Sequence, residues 1–154
     1  MSQPNPIQMK PFLKALPSAL LILLFIYAAG SKLLSFPAFR GQLYNQSFPH
    51  GLADVLVYAL PALELLAVCL LLFRRTQMAG LLLSLYLMLV FTGYIALVLL
   101  HFWNRVPCSC GGILSHMGWG SHLAFNLVFT AIALAAIRIH ITDQKGAAEN
   151  LRKE

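Results

Sequence analysis

Four long apolar runs constrain the fold of this chain more than any other feature. They extend over about residues 15–34, 52–73, 78–102 and 121–141. A helix needs roughly 18 or more apolar residues to cross a hydrocarbon core about 30 Å thick. All four runs reach that length. The sequence therefore predicts an all-α membrane protein, a four-helix bundle in a single domain over residues 1–154, with a short polar tail at 142–154.

The composition excludes an ordinary soluble domain. Of the 154 residues, 59% are hydrophobic and only 10% are charged, whereas about 25% charged residues are usual in soluble proteins. The formal net charge is +6, but Lys and Arg lie between the apolar runs and form no patch. Membrane lipid, and not nucleic acid, is therefore the predicted environment of the chain.

The positions of Lys and Arg predict the topology, because cytoplasmic loops of membrane proteins are enriched in both. One side of the predicted membrane carries Lys10, Lys14, Arg74, Arg75, Arg138, Lys145, Arg152 and Lys153. The other side carries only Lys32, Arg40 and Arg105. We therefore expect both termini in the cytoplasm of a bacterial cell. The loops at 35–50 and 103–120 then face the periplasm, and the aromatic-rich segment 36–44 is expected at the interface, as part of a lid over the bundle mouth.

The second of these loops carries two cysteines, Cys108 and Cys110, on the side where disulfides persist. Two residues apart, they can close a strained disulfide, and a strained disulfide is labile and oxidising. Gly111 and Gly112 allow a tight turn whose amide groups point at a thiolate and lower the pKa of the thiol.

Three interpretations of the loop stay open. In the preferred one, the pair exchanges disulfides with a periplasmic protein, as a possible thiol–disulfide oxidoreductase in which Cys108 attacks and Cys110 resolves. In the second, the chain binds Cu(I), a metal that soft sulfur ligands suit. Its ligands would be Cys108, Cys110 and Met117, with His116 or His122. In the third, the two cysteines form a purely structural disulfide or stay reduced in a turn, and the chain is a structural subunit of a larger membrane complex.

The third cysteine, Cys69, lies within the second span. Free Cys behaves as a small hydrophobe, so we expect it to pack in the core.

Glu64 is an ionisable residue about twelve positions into the second span, roughly 18 Å from its outer end. Such a group is either functional or a neutral residue that fixes helix packing. Lys32 is the obvious partner, but it lies only about 5 Å from the outer end of the first span. This gap in depth of roughly 13 Å predicts that Lys32 faces the outer mouth instead.

The fourth span begins with a polar face formed by His122 and Asn126, one turn apart, which should point into the bundle. Other polar and aromatic residues lie near the same level: Tyr94, His101, Trp103 and Trp119. Together these residues predict a cleft suited to a quinone ring, although interfacial anchoring alone also explains the two tryptophans.

Three motifs carry a resemblance to a known family: residues 29–33 (AGSKL), residues 61–65 (PALEL), and residues 107–112 (PCSCGG) followed by Trp119, His122, Leu123 and Asn126. In order and spacing they resemble the MauE group of the DoxX-like family of four-span membrane proteins. The resemblance implies disulfide chemistry in the inner membrane beside a thioredoxin-like periplasmic partner. The chain lacks the Cys-x-x-Cys motif of typical thioredoxin-like or quinone-linked disulfide enzymes.

Overall fold

The computed structural model describes residues 11–46, 49–102 and 118–153. These residues form five helices and no strand. The helices are α1 (Pro11–Leu34), α2 (Phe36–Tyr44), α3 (His50–Leu72), α4 (Gln77–Leu99) and α5 (Trp119–Lys153). All except α2 are long and apolar enough to cross a membrane. The all-α fold with four candidate spans is therefore confirmed.

The four long helices form a ring in the order α1, α3, α4, α5, in which each packs against the next and α5 packs against α1. The chain reverses between neighbours, as in an up-down-up-down bundle. Leu21, Phe25 and Leu81 are almost completely buried at the centre. The outer surface is also apolar, with exposed side chains such as Leu23 and Tyr86. Helices that are apolar all round are typical of membrane spans.

The hairpin between α3 and α4 closes tightly. Thr76 Oγ1 donates a hydrogen bond to the carbonyl oxygen of Leu70 at 2.9 Å. At Gly80, a Cβ atom would lie 2.8 Å from the backbone nitrogen of Leu71. A small residue is therefore required where the two helices approach most closely.

The short helix α2 lies in the segment that the sequence predicts as an interfacial loop. A proline in its first turn favours the helical backbone. Phe39 and Leu43, one turn apart, bury their side chains against Ala53 and Val57 of α3. The first two turns of α3 therefore pack on α2, at what we call the α2 end of the bundle.

One feature of the helices differs from the sequence-based expectation. Cys69 is exposed on the outside of α3, so it is not a core residue. The reason is the narrow buried stripe of α3, which includes the neighbouring Ala67, Val68 and Leu71 and leaves Cys69 outside it. The polar tail continues α5 as a helix to Lys153.

Candidate functional site

A buried ion pair joins α1 to α3. Lys32 Nζ lies 2.7 Å from Glu64 Oε1, and only 8% of Lys32 and 1% of Glu64 are exposed. Lys32 Nζ also donates to the carbonyl oxygen of Ala28, at 3.2 Å. The expectation that Lys32 faces the outer mouth, too far in depth from Glu64, is therefore wrong.

Two physical features bring Lys32 and Glu64 together. First, side chains on a helix lean toward its N-terminus, so the Lys32 stem runs back along α1 toward Ala28 and deeper into the bundle. Second, the first turns of α3 pack on α2, through Ala53 and Val57. The start of α3 is therefore held against α2, and counting residues from the start of α3 does not give the position of Glu64 relative to Lys32.

The ion pair lies in the wall of a cavity at the α2 end, with a volume of about 300 Å³. All five helices contribute side chains to its walls. Most of these side chains are apolar, and the polar ones include Lys32, Glu64, Tyr94, His122 and Asn126. The cavity therefore has apolar walls and a few convergent polar groups, which is the usual construction of a ligand-binding pocket.

His122 and Asn126 face this cavity from the first turns of α5. Asn126 Nδ2 donates to the carbonyl oxygen of His122 at 3.0 Å, and Thr130 Oγ1 donates to that of Asn126 at 2.8 Å. The polar face predicted for this helix does point into the bundle. The structure thus brings four predicted residues, Lys32, Glu64, His122 and Asn126, to one cavity.

Two buried polar atoms of the site have no hydrogen-bond partner among the described residues. They are Glu64 Oε2 and His122 Nδ1. Leaving such atoms unpaired inside a protein costs free energy, so each requires an explanation. Both residues line the cavity, which makes a bound molecule one explanation.

Helix α2 contributes Phe39 and Leu43 to the wall of the cavity. It is tied to α3 by a hydrogen bond that the Tyr44 hydroxyl donates to Asp54. Arg40 donates to the Tyr44 hydroxyl at 3.4 Å, and this bond raises the pKa of the Arg40 guanidinium above its usual value. Just after α2, Gln46 accepts a hydrogen bond from Tyr94 of α4. In the sequence, the spacing of four residues between Phe39 and Leu43 is the signal that indicates helix α2.

The predicted cleft is present in part. Tyr94 and Trp119 line the cavity together with His122 and Asn126. His101 is exposed and is not among the lining residues. It adopts a left-handed backbone conformation, with φ of 54°, and ends α4 in a Schellman motif, in which Phe102 N–H bonds to Leu97 O and His101 N–H to Val98 O.

The cysteine loop lies outside the described residues. This applies to the predicted redox residues Cys108, Cys110, Gly111 and Gly112, to the alternative copper ligands His116 and Met117, and to Trp103. Within the described ranges, no group of three or more His, Cys, Asp or Glu side chains is placed to hold a metal ion. The loop connects Phe102 to Gly118, next to Trp119 in the cavity wall.

Comparison with known proteins identifies one family. The model of the family described as "Methylamine utilisation protein MauE" matches residues 9–139. No curated protein and no solved structure gives a significant match. The matched range contains the ion pair, the cavity and the cysteine loop.

Proposed function

We propose that this chain, which belongs to the MauE family, is a membrane protein that exchanges disulfides with a periplasmic partner through Cys108 and Cys110. Its four apolar helices make it a multi-pass membrane protein. In the proposed topology it lies in a bacterial inner membrane with both termini in the cytoplasm, because eight of its eleven Lys and Arg residues then face the cytoplasm. The family implies a setting of the methylamine-utilisation type.

One observation carries the proposal. The loop that carries the Cys-Ser-Cys segment runs from Phe102 to Gly118, and Gly118 precedes Trp119 in the wall of the cavity that contains the buried Lys32–Glu64 pair. Buried ionisable groups within a membrane bundle mark functional sites by default. A pair of cysteines two residues apart, attached at this end of the bundle, favours redox chemistry over a plain connection between helices.

Bonds and electrons balance in the exchange between the Cys108–Cys110 disulfide and two thiols of the partner, without any further reactant. A thiolate of the partner attacks one sulfur of the Cys108–Cys110 disulfide, which forms a mixed disulfide and releases the other cysteine as a thiolate. The second thiol of the partner then attacks the mixed disulfide. The partner leaves with a new disulfide, and Cys108 and Cys110 remain as a dithiol. The reverse sequence of steps reduces the partner. A thioredoxin-like protein or a disulfide-containing periplasmic protein fits this role.

Trapping of the mixed disulfide tests the proposal. Single variants Cys108→Ser and Cys110→Ser in the full chain are incubated with a thioredoxin-like protein that lacks its own resolving cysteine and whose remaining cysteine carries a thionitrobenzoate leaving group, which the attacking thiolate displaces. A covalent, reductant-sensitive adduct with one of the two variants is expected, because the resolving thiol is gone. Cys69→Ser is the matched control, since Cys69 lies on the outside of α3, and its disulfide exchange should equal that of the wild type.

Two results would contradict the proposal. If neither single variant forms an adduct while the wild type binds Cu(I) through the same cysteines, the chain is a copper-binding protein. If both cysteines can be replaced without loss of exchange or of metal binding, the loop is structural.

A further inference from the structure

We infer that the cavity at the α2 end binds the ring of a membrane p-quinone, which accepts the electrons that Cys108 and Cys110 release when they form a disulfide. This inference rests on the proposed function for its electron donor. The cavity walls that carry the argument consist of described residues of all five helices, so the two claims can be tested separately.

The first argument is the pair of unpartnered atoms. Glu64 is 1% exposed, and its Oε2 atom and His122 Nδ1 are buried without partners among the described residues. A carboxylate oxygen accepts hydrogen bonds, and a neutral imidazole has one accepting nitrogen. A ligand that supplies hydroxyl donors would satisfy both residues, if Nδ1 is the accepting nitrogen of the ring. The two hydroxyl groups of a quinol are such donors.

The second argument is the charge of the site. Lys32 neutralises Glu64 across 2.7 Å, so the ion pair presents no net charge to a ligand. An anionic lipid or a fatty acid would place its negative charge beside the unpaired carboxylate oxygen. Lys32 Nζ uses two of its three hydrogens for Glu64 and Ala28, and besides these two acceptors it lies 5.9 Å from the centroid of the Phe39 ring. A neutral ligand with oxygen acceptors and hydroxyl donors therefore fits best.

The third argument is the shape and chemistry of the walls. The volume of about 300 Å³ lies at the lower end of the range of about 300–1,000 Å³ found for small-molecule sites. The rings of Phe25, Phe91, Phe125 and Trp119 line the cavity. Aromatic rings stack favourably on one another, so these walls suit a flat ring with a short apolar substituent.

Electrons and protons balance in the redox step between the cysteine pair and the quinone in the cavity. Two thiol S–H bonds break, one S–S bond forms between Cys108 and Cys110, and the quinone takes up two electrons and two protons to become a quinol. The new hydroxyl groups can donate to Glu64 Oε2 and His122 Nδ1, which a quinone cannot do. The site therefore stabilises the quinol relative to the quinone and favours oxidation of the dithiol.

Quenching of tryptophan fluorescence by a short-chain ubiquinone tests the binding. The chain has two tryptophans, and a Trp103→Phe background leaves Trp119 in the cavity wall as the reporter. Ala28 lines the cavity, so Ala28→Phe should fill it and weaken binding about tenfold or more. Ala62 is exposed on the outside of α3, so Ala62→Phe is the matched control and should bind like the parent.

Saturable quenching that Ala28→Phe weakens and Ala62→Phe preserves supports the inference. Quenching that does not saturate, or that both variants reduce equally, overturns it and indicates partitioning into the detergent. A photoreactive azidoquinone gives a measurement that needs no variant. Labelling within residues 119–126 supports the site, whereas labelling confined to lipid-facing positions such as Tyr86 contradicts it.

A Cys108→Ser/Cys110→Ser double variant separates this inference from the proposed function. It should still bind the quinone, because the side chains that carry the binding argument, Glu64 and His122, are unchanged. If it binds quinone but the wild-type dithiol is not oxidised by quinone, the electron-transfer part of the inference fails. If the wild type exchanges disulfides but does not bind quinone, the cavity assignment fails alone.

Discussion

Lys32 Nζ and Glu64 Oε1 form an ion pair of 2.7 Å inside the bundle. Lys32 lies near the C-terminal end of α1, whereas Glu64 lies in the middle of α3. Charges are expensive to bury unless they are paired. The pair therefore fixes the register of α1 against α3, and it does so in the wall of the cavity.

Removing one partner of this pair should destabilise the protein strongly. Lys32→Met leaves a buried carboxylate without its counter-charge, and a loss of about 3–5 kcal/mol in the free energy of unfolding is expected. The double variant Lys32→Met/Glu64→Leu removes both charges and should recover most of that loss. Unfolding of the detergent-solubilised protein by added denaturing detergent measures both.

The exposed pair Lys14–Asp143 is the control for this prediction. Its two atoms lie 2.6 Å apart, but its side chains are 35% and 47% exposed. Exposed pairs contribute roughly 0–1 kcal/mol, so Lys14→Met should change the unfolding midpoint little. A double variant at Lys32 and Glu64 that is no more stable than the worse single variant would argue against the pairing.

The two glycines Gly80 and Gly93 of α4 should respond differently to substitution by alanine. Gly80→Ala places a Cβ atom 2.8 Å from the backbone of α3, and overpacking of this kind costs about 1–3 kcal/mol. Gly93 in the same helix has no atom within 4 Å of the corresponding position. Gly93→Ala should therefore stabilise the helix by about 0.5–1 kcal/mol. Equal effects at both positions in thermal unfolding would contradict the close approach of α3 and α4.

The proposed topology predicts which side of the membrane two exposed arginines occupy. Arg40 in α2 and Arg75 in the turn after α3 are both exposed. In a background without the three native cysteines, Arg40→Cys should react with a membrane-impermeant thiol reagent added to spheroplasts. Arg75→Cys should react only after the membrane is opened. The reverse pattern would place the cysteine loop in the cytoplasm and remove the basis for a periplasmic partner.

Much of the fold could be predicted from the sequence because a membrane imposes a simple rule on length and polarity. The four apolar runs correspond to α1, α3, α4 and α5, and the inward face of His122 and Asn126 followed from their spacing. The Lys32–Glu64 pair could not be predicted, because it depends on the relative heights of two helices. Those heights follow from the packing of Phe39 and Leu43 on α3, which is a tertiary contact.

The exposure of Cys69 escaped prediction for a related reason. In a soluble protein an apolar residue in a helix of this kind would be expected in the core. In a membrane span the lipid-facing side is as apolar as the interior, so hydrophobicity no longer distinguishes the two faces. Only the packing of α3 against α1 and α4 assigns Cys69 to the outside.

The most direct test of the central claim is the redox state of Cys108 and Cys110 in membranes, measured with a thiol-reactive mass tag across a series of redox buffers. Cys108→Ser and Cys69→Ser variants identify which thiols react. If Cys108 and Cys110 exchange disulfides, the pair is oxidised as isolated and cycles reversibly, with a midpoint between about −120 and −270 mV, the range of thiol–disulfide exchange proteins. A pair that stays reduced in the presence of oxidant, or that cannot be reduced within that range, would contradict the proposed exchange.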